Sequence, residues 1–257
     1  MKNILFILIG LSVFNCFSQK SKIIPSQELK LYQFFGLDNN KYIQIPTFEI
    51  SEFITCKEYK KYLKAIKKDS SESFYLSQLP DSNFTIDITG NYQYLNSNEH
   101  DNFPILGITW DAAMNYCKWK TLKQNRRKIK YIYRLPYSSE WIASLYYLNS
   151  NNKYHDMNSK YAEWTIGSYD DTIQASFDKW DLDTFVYDAL FIESSYKKVV
   201  MGDSYLVQQK GYLGSIKFKD KNKGFKDISF RVVKERIESP IEIEDILKFW
   251  RIYEEED

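Results

Sequence analysis

The sequence predicts a chain that combines helices with strands, and three stretches carry the prediction. Residues 104–119 (PILGITWDAAMNYCKW) hold a helical period behind a capping threonine, residues 131–135 (YIYRL) form a strand-like run stopped by Pro136, and F-E-I at 48–50 precedes a second helical period through Glu58, Tyr59 and Leu63. Apolar residues spaced by three and four share one helix face, whereas a short aromatic and β-branched run suits a strand.

In chain order, residues 1–18 read as a secretory signal. Lys2 supplies the positive region, residues 4–14 are apolar, and Cys16 and Ser18 stand three and one residues before a cleavage point at Gln19. The apolar stretch is too short to span a bilayer, so no transmembrane span is expected in the mature chain. A rival reading makes Cys16 a lipid-bearing residue, against which Asn15 is a poor match to the small residue such signals prefer. Simple export to the periplasm or cell envelope is the favoured reading. Residues 19–39 form an N-terminal extension, with a short helix expected over 27–36. The polar, Asn/Ser-rich stretch 67–103 reads as an ordered insertion with short strands over 84–88 and 92–95.

The central helix is expected over 110–124. Thr109 caps it, Asp111 sits in the first turn, Ala112, Ala113, Tyr116 and Cys117 form its apolar face, and its last turns are basic. After the strand at 131–135, Ser138 or Ser139 is placed to cap a helix carrying Trp141 and Leu145. At the end of the chain, S-P-I-E at 239–242 has the form of a capping box with Pro at the first helical position. Ile243, Ile246, Leu247, Trp250 and Tyr253 then make one apolar stripe, which either folds back on its own domain or docks a partner. Residues 237–257 are thus expected to be an added amphipathic helix and acidic tail.

A length of 257 residues suits one substantial domain, and a net charge of +1 gives no reason to expect a nucleic-acid partner. The 21 Tyr, 17 Phe and 6 Trp are read first as a ring-rich core and second as a carbohydrate or protein contact surface.

The motifs taken together resemble the formylglycine-generating enzyme, or sulfatase-modifying factor, family over residues 40–236. Trp110, Cys117 and Trp119 match its S-W-x-D-A-x-A-Y-C-x-W helix, with Asp111 one place before the pattern's Asp. Arg134, Leu135, Pro136, Glu140 and Trp141 match its R-L-P-T-E-A-E-W. Glu163 and Trp164 match the end of G-N-x-W-E-W-T, and Phe230 and Arg231 match the closing G-F-R. The resemblance implies an α+β fold related to C-type lectins, with much irregular chain. It is strong in the centre and weak in the C-terminal half.

The resemblance also says where chemistry belongs, and there this sequence departs from it. The family's copper-binding redox cysteine pair falls within residues 204–215, which here contain no cysteine. A branch of the superfamily holds iron with three histidines; this chain has two, His100 and His155, both in polar surroundings that suit solvated loops. Family members also hold calcium with an Asn and the Glu of G-N-x-W-E-W. Lys160 replaces the Asn and leaves Glu163 as a lone remnant ligand, expected to pair with a cation or cap a turn if buried. No catalytic residue, metal or cofactor is therefore assigned, and Arg231 is given a structural role. Cys56 and Cys117 either pair or stay as separate buried thiols. In relatives the cysteine matching Cys117 pairs with one just after G-F-R, where Val232 stands here.

The sequence thus points to an exported, non-catalytic family member used in protein interaction or envelope assembly. In its long polar insertion and its H-D-N-F-P at 100–104 it resembles gliding-motility and type IX secretion lipoproteins of Bacteroidetes. The alternatives are a divergent oxidase or metalloenzyme, and a lectin-like module that binds carbohydrate or peptide.

Overall fold

A computed structural model describes residues 20–30, 42–81, 95, 97–125, 127–150, 161–168, 196–202 and 216–247. Its elements, in order, are β1 (Ser21–Ile24), β2 (Gln27–Lys30), β3 (Tyr42–Ile45), β4 (Phe48–Ser51), α1 (Cys56–Asp69), α2 (Glu72–Ser77), a 3-10 turn (Asn98–His100), α3 (Trp110–Gln124), β5 (Lys128–Arg134), α4 (Ser138–Ser150), β6 (Ala162–Ser168), β7 (Lys197–Met201), β8 (Lys217–Asp220), β9 (Ile228–Ser229) and β10 (Val233–Glu242). The fold is α+β.

Three sheets organise the strands. The first has the order β1-β4-β10-β5, all antiparallel; β2 pairs with β3; the third has the order β8-β7-β6-β9. In the third sheet only β6 and β9 run parallel. Two apolar cores flank this framework. One joins α1 and α3 to Ile105, Ile108, Leu135, Trp164, Val200 and Phe230. The other packs α4 against Ile24, Phe48, Ile50 and Val233 of the first sheet. β7 feeds both, with Val200 in the first core and Val199 and Met201 in the second, because successive strand side chains point to opposite faces.

Local chemistry explains the helix boundaries. Thr55 and Glu58 close a capping box on α1, and the buried face below it is Cys56, Tyr59, Tyr62 and Leu63. The Thr109 hydroxyl accepts from Ala112 N at 3.1 Å and so caps α3. At the other end, buried Asn125 donates to the Thr121 and Tyr131 carbonyls and accepts from Lys130 N, tying the helix end to β5. Ser138 lies inside α4 rather than before it. The entry to that helix is held instead by Glu140, whose carboxylate accepts from Tyr137 N at 2.8 Å.

Two sequence expectations are corrected. Residues 27–30 form a strand, not the start of a helix, because pairing of Gln27–Lys30 with Tyr42–Ile45 outweighs the helix propensity of Gln, Glu, Leu and Lys. The S-P-I-E motif at 239–242 is not a helix start either. β10 runs through it, past the expected domain end at 236, and Ile241 and Glu242 pair with Ile129 and Lys128. The register shifts between Arg236 and Ile241, and this irregular stretch accommodates Pro240, which has no N–H to give a ladder. Helix follows only at 243–247, where Ile246 is buried and Ile243 and Leu247 are half-buried. Trp250 and Tyr253, residues 31–36, the strand expected over 84–88, that over 92–95 apart from Leu95, and His155 lie outside the described residues.

Candidate functional site

The residues singled out by sequence fall into three groups in space. Trp110 and Trp164 lock α3 to β6: the Trp110 indole donates to the Thr165 carbonyl at 2.7 Å, and the Trp164 indole donates to the Ile108 carbonyl at 3.2 Å. Asp111 lies in the first turn of α3, and Trp119 rests against Tyr62 and Tyr116 with ring centroids 5.5 Å apart in each case. Cys117 and Cys56 are both buried free thiols, so no disulfide joins them. Desolvation pushes the Cys117 thiol up to about 12, with Lys120 and Arg134 pulling the other way.

The second group is Arg134, Leu135, Pro136 and Glu140. Arg134 Nη1 and Nη2 donate to the two Glu140 oxygens at 2.7 and 2.8 Å, and Nε donates to Glu235 at 2.7 Å. Burial alone would lower the Arg134 guanidinium, but the two carboxylates win and its net shift is upward. Leu135 is buried, and the Pro136 carbonyl accepts from Ile166 N. This group joins β5, α4, β6 and β10.

The third group is the most unusual electrostatically. Trp141 from α4, Glu163 from β6 and Arg231 from the segment after β9 meet in the interior. Glu163 is 0% and Arg231 2% exposed. Both Glu163 oxygens lie 3.1 Å from Arg231 Nε, one of them in an aligned hydrogen bond. The guanidinium also stacks on Phe53 at 4.2 Å, and Phe53 meets Tyr161 edge-on. Desolvation raises the Glu163 carboxyl, and Arg231 and the Trp141 indole pull it partly back. Gly202, at φ +87°, closes the group just after β7; a Cβ there would sit 3.0 Å from the Trp141 ring.

The calcium that the family resemblance implies does not fit this arrangement. A hard cation wants several oxygen ligands. Glu163 instead faces a guanidinium and an indole N–H, both donors, so its charge is already compensated from within the chain. Among the described residues no group of three His, Cys, Asp or Glu side chains is disposed to hold a metal ion. Phe53 gave no signal in the sequence, since its cation–π role depends on a neighbour far along the chain. Ser229 stands beside Glu163 in the parallel β6–β9 register, a neighbourhood that sequence spacing does not reveal.

Comparison with known proteins agrees with the fold. The sulfatase-modifying factor enzyme 1-like domain matches residues 25–154, about half of the chain, and the chain belongs to that family. No curated protein matches the sequence. Among solved structures, that of CarF aligns with a TM-score of 0.52 at 14% identity, over 86% of this chain and 99% of that one. PvdO from Pseudomonas aeruginosa aligns with a TM-score of 0.51 at 13% identity, over 84% of this chain and 94% of its own. Treponema denticola variable protein 1 aligns with a TM-score of 0.50 at 12% identity, over 83% and 94%. At such identities the likeness is one of fold alone.

Proposed function

We propose that this chain is an exported, non-catalytic member of its family that acts in protein interaction or envelope assembly, in the manner of the gliding-motility and type IX secretion lipoproteins it resembles. One observation carries the reading: residues 204–215, where the family resemblance places the redox cysteine pair, contain no cysteine. Copper-dependent oxidation of a substrate thiol needs soft thiolate ligands, and no other side chain replaces them in kind. The motif residues that do survive are taken up in packing, as Trp110, Trp164, Arg134 and Glu140 show.

Oxygen consumption by the purified, copper-loaded chain on a cysteine-containing peptide tests this directly. The expected rate equals that of free copper, and peptide oxidation above that level sinks the proposal. The interaction half is read by cross-linking in envelope fractions, with the intact chain compared to one cut after Leu247. A cut after Glu238 would remove paired residues of β10 and confuse unfolding with loss of a docking helix. A specific cross-linked species that weakens in the shortened chain supports a role for the tail.

A further inference from the structure

We infer that the Glu163–Arg231 pair encloses a site for one small neutral guest, a water molecule, and that the same arrangement excludes a divalent cation. Three buried polar atoms mark the site, Trp141 Nε1, Glu163 Oε2 and Ser229 Oγ: none makes an aligned hydrogen bond, although Glu163 Oε2 lies 3.1 Å from Arg231 Nε and the Trp141 indole approaches the carboxylate. They arrive from three elements, α4, β6 and β9. The parallel β6–β9 register sets Glu163 directly beside Ser229, and the Trp141 indole acts on the Glu163 carboxylate.

The chemistry of the three atoms selects the guest. An indole N–H only donates, a carboxylate only accepts, and a serine hydroxyl does either. One water accepts from Trp141, donates to Glu163 and bonds Ser229 in either sense, which makes the three bonds typical of a buried water. Without that water the Ser229 hydroxyl would be buried with no partner, at the cost of its desolvation. A divalent cation gains no such match: it would meet one carboxylate, an indole N–H turned toward it, and a guanidinium already 3.1 Å from both carboxylate oxygens.

A high-resolution crystal structure of the purified chain, combined with water–protein cross-relaxation at the Trp141 indole proton, tests the hydrated site. The expected result is a density peak within hydrogen-bond reach of all three atoms and a cross-peak to water that weakens in Ser229→Ala. A contracted site in which Trp141 donates straight to Glu163, with no peak between them, overturns the proposal. Titration of calcium into the wild-type chain, followed at the same indole resonance, tests the exclusion. The resonance is expected to stay in place; a saturable shift overturns the exclusion without any variant that might fail to fold.

Discussion

Arg231 is buried at 2% exposure, and the Glu163 carboxylate 3.1 Å from its Nε supplies a countercharge to the guanidinium. Glu163→Gln removes that countercharge and is expected to destabilise the fold by on the order of 3–5 kcal/mol, the usual result of breaking one side of a buried pair. Glu163→Gln combined with Arg231→Met removes both charges and is expected to recover much of the loss. Denaturant unfolding of the two single variants and the double variant measures the coupling, and additive losses would refute it. The thiols make a second expectation at this scale. Cys117 is 1% exposed, with its pKa pushed up to about 12, so almost no thiolate forms near neutrality. Cys56 is equally enclosed. Native protein should therefore resist thiol reagents and should melt at the same temperature with and without reductant. Rapid native labelling at either site would contradict the packing.

The central helix was legible in the sequence because its signals are local. Thr109 caps it, Asp111 follows, and the spacing of Ala112, Ala113, Tyr116 and Cys117 is visible without any partner, so the expected and observed spans coincide at 110–124. Thr109→Ala should cost about 1 kcal/mol, readable as a lowered denaturation midpoint. Elements whose identity depends on a distant strand were misread. Gln27–Lys30 and the segment through Pro240 carry helix-like local signals, yet each is claimed by a strand that sequence spacing does not reveal. A second element-scale expectation concerns β1. Its Ser21 hydroxyl bonds Glu49, which also pairs with Lys234 at 3.1 Å. Partial burial raises the Glu49 carboxyl, but the Ser21 bond and Lys234 outweigh it and leave it below the ordinary carboxylate range. A depressed carboxyl stabilises above its unfolded pKa and loses that contribution as pH falls through the folded value. Amide exchange in β1 should therefore speed up on acidification below that range, with Glu49→Gln removing the dependence; an unchanged pH profile in the variant would refute it.

At the scale of the molecule, part of the candidate site was readable in advance and part was not. Glu163, Trp141 and Arg231 each stood out as motif residues, but their convergence needs strands and helices far apart in sequence. The glycines show the same limit. Gly107 and Gly224 lie back to back, so a Cβ on Gly224 would fall 1.9 Å from the Gly107 carbonyl oxygen. Asp81 and Phe225 bond the backbone of Gly107 at the same crossing. Gly224→Ala should therefore impair folding far more than an ordinary loop substitution, and soluble yield with a melting curve would show it. Composition announced only that glycine is scarce, at 9 in the chain; it could not say which two backbones touch.

The position of β10 has a consequence for the order in which the chain becomes a protein. In the first sheet β10 sits between β4 and β5, with Val233 pairing both Ile50 and Arg134. The last strand among the described residues is thus an inner one, lying between β4 and β5. Until residues 233–242 leave the ribosome, the earlier strands lack the partner that joins them. Long-range pairing of this kind slows folding. It makes closure of this sheet a late event in folding, reached only when the chain has come back to its earlier strands.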